Sequence, residues 1–202
     1  MASYEFKSLG DYKDLIFKLL MFSGEKSELL MEIIMPVLDD DRFDKYDNFL
    51  GGEFEYYSGG KVERVNLQGR LFNVPFIYST ITESICAICM DTNLKKCNQN
   101  TKEMIITLTP MCHKEMLSLD KNTKRKFKSL GYTGNRLDIV VALIGEILNF
   151  GKDSKLGIGT LIPAPFDSIT PFYPNNSFFG KTMIYTCSDF MVNYGDRSLN
   201  GD

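Results

Sequence analysis

Residues 135–148 read Asn135-Arg-Leu-Asp-Ile-Val-Val-Ala-Leu-Ile-Gly-Glu-Ile-Leu148, and the spacing of their apolar side chains decides the fold class. Leu137, Val140, Val141, Ile144 and Leu148 recur at three- and four-residue intervals, which makes them one stripe of a helix. Ile139, Leu143 and Ile147 widen that stripe until few polar positions are left. A helix apolar on more than one side has to be buried, so the spacing predicts a core helix over 135–149. Thr133 or Asn135 can cap its start, and Gly151 can stop it.

Upstream of this helix the period changes. Glu53–Tyr57, Lys61–Leu67, Val74–Tyr78, Ser84–Met90 and Met104–Leu108 are short runs with rough apolar–polar alternation, bounded by Gly51-Gly52 and Gly59-Gly60. Alternation is the mark of a half-buried strand. Asp91–Lys102 is polar and reads as a hairpin loop or surface excursion. Nearer the N-terminus, Leu15, Ile16, Leu19 and Leu20 predict a helix over 10–22 with Asp11 as its cap. Ser27–Met35 predicts a second helix, ended by Pro36. Downstream, Pro163, Pro165, Pro171 and Pro174 punctuate short apolar pieces, and Thr182–Cys187 reads as a final strand.

The expected architecture is α+β: a mixed, mostly antiparallel sheet with helices packed on it, in a single domain with long loops. That domain spans 1–192, with an N-terminal helical and acidic segment over 1–50 and the sheet plus buried helix over 51–192. A mobile polar tail follows at 193–202.

Composition narrows the chemistry. The chain has 202 residues, 44% of them hydrophobic and 24% charged, which suits a packed globular core. Lys+Arg number 23 against 26 Asp+Glu, so no general nucleic-acid coat is expected. A single His excludes sites built on two or three imidazoles. The longest apolar stretch, Ile139–Leu148, holds Gly145 and Glu146 and falls short of a membrane span. The first residues lack a cationic start and an apolar core, so a reducing environment is expected for the five cysteines.

Cys86-Ala-Ile-Cys89, with Cys97, Cys112 and His113, offers thiolate ligands for zinc. On a strand, however, Cys86 and Cys89 point to opposite faces, and buried free cysteines are the simpler account. Cys112, His113 and Asp138 could act as nucleophile, base and orienter only if folding joined them. Gly157-Ile-Gly159 lacks the third glycine of a dinucleotide loop and reads as a turn. No catalytic residue, metal ligand or cofactor site is therefore assigned. Two charged patches remain as candidate contact surfaces. The acidic one is Asp39, Asp40, Asp41 and Asp44, without the glycine a calcium loop needs. The basic one lies within Lys121–Lys128 and comprises Lys121, Lys124, Arg125 and Lys126, read as a solvated loop.

An ordered set of segments carries a resemblance. Gly69–Ile77 is followed by Ile88-Cys-Met90, Ile105–Lys114, Gly134–Ile139, Gly157–Leu161 and Phe178–Phe190. This order resembles the small neck and tail-completion proteins of tailed bacteriophages, of the tail-terminator type. The resemblance implies a structural virion protein without catalytic residues, an α+β subunit assembled as a hexameric ring. Such a ring caps the tail tube and docks it to the neck and portal connector. Its partners would be itself, the tube protein and the connector, with no membrane and with nucleic acid at most passing through the lumen. The acidic and basic patches could then pair head-to-tail between subunits. The alternatives are a head–tail adaptor or stopper, or a Cys-ligated zinc protein.

Overall fold

Strands β3 (Cys86–Lys96) and β4 (Lys102–His113) form a long antiparallel hairpin at the centre of the molecule. The structure, a computed structural model, describes residues 9–22, 24–34, 50–51, 70–72, 84–96, 102–149, 160–162 and 169–190. Strand β7 (Phe178–Phe190) lies antiparallel against the other side of β4. Two short strands, β5 (Thr160–Ile162) and β6 (Thr170–Phe172), sit end to end along the outer edge of β7. On the far side of β3 lie β2 (Leu71–Phe72) and β1 (Leu50–Gly51), both paired in parallel. The sheet is thus mixed and mostly antiparallel, with helices α1 (Leu9–Phe22), α2 (Glu25–Ile34), α3 (Lys121–Ser129) and α4 (Arg136–Asn149) completing an α+β domain.

Strand alternation sorts the core. Cys86, Ile88 and Met90 of β3, Met104, Ile106 and Leu108 of β4, and Met183 and Tyr185 of β7 face one side of the sheet. There they pack on Phe17 and Leu20 of α1, Leu30 and Ile33 of α2, and Val140, Leu143 and Ile144 of α4. The opposite face carries a smaller apolar cluster of Phe72, Ile85, Ala87, Cys89, Met111 and Phe178. The strip of α4 that the sequence marks as apolar is the strip that is buried, which is why its polar positions are so few.

Helix α4 starts as the sequence expects. Asn135 Oδ1 accepts from the Asp138 backbone N–H at 3.0 Å, and Asp138 Oδ2 accepts from the Asn135 N–H at 3.1 Å. This reciprocal cap satisfies two donors at once. It also requires Gly134, since a Cβ there would meet Asp138 Oδ2 at 2.7 Å and φ is 106°.

Several expectations need correction. Of the two readings of Asp91–Lys102 the hairpin holds, but Asp91–Lys96 belongs to β3 and Lys102 opens β4, so only 97–101 separates the two strands. Cross-strand pairing outweighs the polarity of those residues. The second hairpin strand also runs through Thr109-Pro110 to His113 instead of ending at Leu108. Pro110 pairs with Ile88 on the β3 side, where its position needs no N–H. On the β7 side the paired positions step from Leu108–Met183 to Met111–Gly180. Gly180 permits this close approach, because a Cβ there would stand 3.1 Å from the Pro110 carbonyl oxygen.

The N-terminal helices both start earlier than the sequence reading places them. Helix α1 begins at Leu9, so Asp11 lies within its first turn. Helix α2 begins at Glu25, where the Gly24 carbonyl accepts from the Ser27 and Glu28 N–H groups. Ser27 is then an interior residue whose hydroxyl donates to the Leu19 carbonyl at 3.2 Å and ties α2 to α1. The strands expected over 53–67 and 74–78, Pro36, Gly151 and the tail 193–202 lie outside the described residues.

Candidate functional site

The basic cluster expected in a loop is a helix, α3, and both of its ends are built to hold it. Asp120 Oδ1 accepts from the N–H groups of Asn122 at 2.9 Å and Thr123 at 3.0 Å, and its Oδ2 accepts from the Thr123 hydroxyl at 2.5 Å. Those hydrogen bonds, led by that of the Thr123 hydroxyl, hold the Asp120 carboxyl below the ordinary range. At the other end Gly131 adopts φ 92°. The Tyr132 N–H then reaches back to the Phe127 carbonyl at 2.9 Å and the Gly131 N–H to that of Lys128 at 3.1 Å. This is the Schellman arrangement, and the rings of Phe127 and Tyr132 add its usual apolar contact, 6.1 Å between centroids.

Phe127 is the one buried side chain of α3. Around it the cations divide into two flanks. Lys126 bonds Glu32 of α2 at 2.5 Å and so is already partnered. Lys121, Lys124, Arg125 and Lys128 stand at i, i+3, i+4 and i+7, and all four are exposed. That spacing makes a single row along one face. Of the four cations in the candidate patch, Lys121, Lys124 and Arg125 fall in this row together with Lys128, while Lys126 lies off it beside Glu32. The row contains four like-charge pairs three or four residues apart, which together cost roughly 1–2 kcal/mol of helix stability. Lys121 also sits at the positive end of the helix dipole. The acidic patch, Asp39, Asp40, Asp41 and Asp44, lies outside the described residues.

The cysteine motif is divided between the two faces of the sheet. Cys86 packs in the helix-side core and Cys89 in the cluster behind it. Cys112 is the register partner of Cys86, and both are buried free thiols. A hydrogen bond with Cys112, together with burial, pushes the Cys86 thiol well up, and burial alone pushes Cys89 up to about 12. Thiols held protonated are poor nucleophiles and poor ligands. Among the described residues no group of three or more His, Cys, Asp and Glu side chains could hold a metal ion. Cys97 and Gly157-Ile-Gly159 fall outside them.

Cys112, His113 and Asp138 are not brought together. Neighbours on a strand point to opposite faces, so Cys112 joins the helix-side core while His113 lies edge-on to Phe178 on the other side, 5.1 Å between rings. Asp138 is engaged at the α4 cap and with Lys181 at 3.3 Å.

One polar cluster has no counterpart in the sequence reading. Lys26 Nζ lies 2.8 Å from Glu146 Oε2 and donates to Tyr132 Oη at 2.7 Å, while Tyr132 Oη donates to Glu146 Oε2 at 2.7 Å. Each member faces the other two, so the cluster is a clasp joining α2, the α3–α4 turn and α4. Partial burial raises the Glu146 pKa, but the hydrogen bonds of Lys26 and Tyr132 outweigh it and leave the carboxyl below its ordinary range. The hydrogen bonds to Glu146 and then Tyr132 raise Lys26.

A depressed carboxylate contributes stability above its unfolded pKa, and a raised lysine contributes below its own. The clasp therefore acts fully between about pH 5 and pH 10. Both charged ends are partly exposed, so Glu146→Gln is expected to cost only about 0.5–1 kcal/mol at pH 7. The gap to the parent protein should close as the pH falls below the ordinary carboxylate range and Glu146 takes up its proton. Thermal melts across a pH series measure it, and a gap that persists unchanged at pH 3 rules the clasp out.

Comparison with curated proteins and with solved structures finds no match. The family model named YomW matches residues 15–187, from the middle of α1 to near the end of β7, and the chain belongs to this phage-associated family.

Proposed function

We propose that this chain is a structural virion protein, one subunit of a closed ring of six that caps the tail tube and docks it to the head connector. The observation that carries the reading is where the neck-like segments fall. As far as they are described, Gly69–Ile77, Ile88–Met90, Ile105–Lys114, Gly157–Leu161 and Phe178–Phe190 supply strands β2, β3, β4, β5 and β7 of one sheet. Gly134–Ile139 supplies the capped start of the helix packed against it. Membership of a phage-associated family supports the same reading. The mechanism is occlusion and docking, with no bond made or broken. A head-to-tail ring uses two different surfaces of each subunit, and the rotation between subunits fixes the copy number.

Deleting the gene and imaging the particles tests this. Loss of a terminator is expected to give tails of irregular, excessive length that fail to join filled heads. Normal-length free tails beside leaking heads would assign the protein to the adaptor or stopper position instead. Normal, infectious virions would reject a neck role altogether.

A further inference from the structure

We infer that the row Lys121, Lys124, Arg125 and Lys128 is a sequence-independent contact for the phosphate backbone of duplex DNA. This goes beyond the ring reading and does not depend on it. Helix α3 stands on one buried residue, Phe127, and one ion pair, Lys126–Glu32, which leaves the row facing outward. None of the four cations has an ion-pair partner among the described residues, although the chain as a whole carries a net charge of -3. Four like charges at adjacent helical positions repel one another, and an anion laid along the row relieves that repulsion. The cap at Asp120 and the Schellman turn at Gly131 fix the helix in advance, so binding need not order it.

The chemistry of the row favours phosphate over an acidic protein surface. The centre of a protein–protein interface is depleted of charged side chains, whereas this row consists of four adjacent cations. Leu130, exposed at the C-cap, follows the Lys126 flank instead. Protein–DNA contacts are strongly cationic and polar. Phe127, the one aromatic side chain among them, is buried and cannot stack on bases, so sequence and single strands are not read. From Lys121 to Lys128 the row is about 10 Å long, which puts three or four phosphates of one strand within reach of the side chains.

The test is fluorescence anisotropy of the full chain with labelled 30-base-pair duplexes of unrelated sequence. Binding is expected to be equal across sequences. The plot of log affinity against log salt should have a slope of about −3, a loss of roughly 60-fold between 50 and 200 mM salt. The variant Lys121→Gln/Lys124→Gln/Arg125→Gln/Lys128→Gln should lose this binding and its salt dependence, yet melt no lower than the parent. Lys126→Gln, on the partnered flank, should bind as the parent does. Absence of binding at low salt, or binding untouched by the fourfold variant, overturns the proposal. So does row-dependent binding to phosphatidylglycerol vesicles without binding to duplex. If the fourfold variant changes only self-association, the row is a contact between copies of the chain, and the DNA reading is wrong.

Discussion

Ile144→Asp is expected to abolish the native fold. Ile144 is fully buried on α4 and packs in the cluster that joins α1, α2, α4 and the sheet. Removing its side chain forfeits packing worth about 2–5 kcal/mol. The carboxylate left behind either stays charged in an apolar site or takes up a proton, at several kcal/mol more. The sum is comparable to the whole stability of a domain this size, roughly 5–15 kcal/mol. Circular dichroism and urea melts of purified protein measure it. Ala142→Asp, on the exposed side of the same helix, is the control and should cost less than about 1 kcal/mol. Soluble Ile144→Asp protein with an unchanged urea midpoint would mean that α4 does not pack as described.

The second large effect belongs to Arg136. Its Nε donates to the Met116 carbonyl at 2.7 Å and its Nη1 to the Ile33 carbonyl at 2.6 Å, while its backbone N–H reaches the Leu117 carbonyl at 3.0 Å. The side chain is buried and has no carboxylate partner among the described residues. Its cation is instead held at the C-terminal end of α2, where carbonyls lack helical partners and the dipole is negative. One guanidinium thus sews α2 to the segment after β4 and to the start of α4. Arg136→Ala leaves two carbonyls unsatisfied and a void in the wall of the core. The expected loss is about 3 kcal/mol, or roughly 6–12 °C in melting temperature. Arg136→Lys should recover only part of it, since an ammonium does not offer two donors in a rigid fork. Equal melting of Arg136→Ala and the parent would show that the two hydrogen bonds hold nothing together.

The cationic row of α3 shows how far a sequence pattern carries and where it stops. Its cations and their spacing are visible in Lys121–Lys128, and Asp120 and Gly131 flank them where a cap and a stop belong. The segment still reads as loop by composition, because only Phe127 is apolar and one residue shows no period. What makes it a helix is the anchoring of that residue against Tyr132, together with the two end motifs. Which cations face outward free and which one is taken depended on Glu32, 94 residues away along the chain.

The same division runs through the molecule. By itself the sequence determined the α+β class, the buried apolar strip of the helix α4 and the separation of Cys86 from Cys89. All three follow from local periodicity, since helical and strand repeats dictate which side chains share a face. Tertiary structure alone decided that Asp91–Lys96 and Thr109–His113 are strand, because a neighbouring strand satisfies their backbone whatever their polarity. It alone closed the Lys26–Tyr132–Glu146 clasp and seated Arg136 on the end of α2. These contacts join residues far apart in the chain, and no local pattern specifies a partner that only packing brings within hydrogen-bond reach.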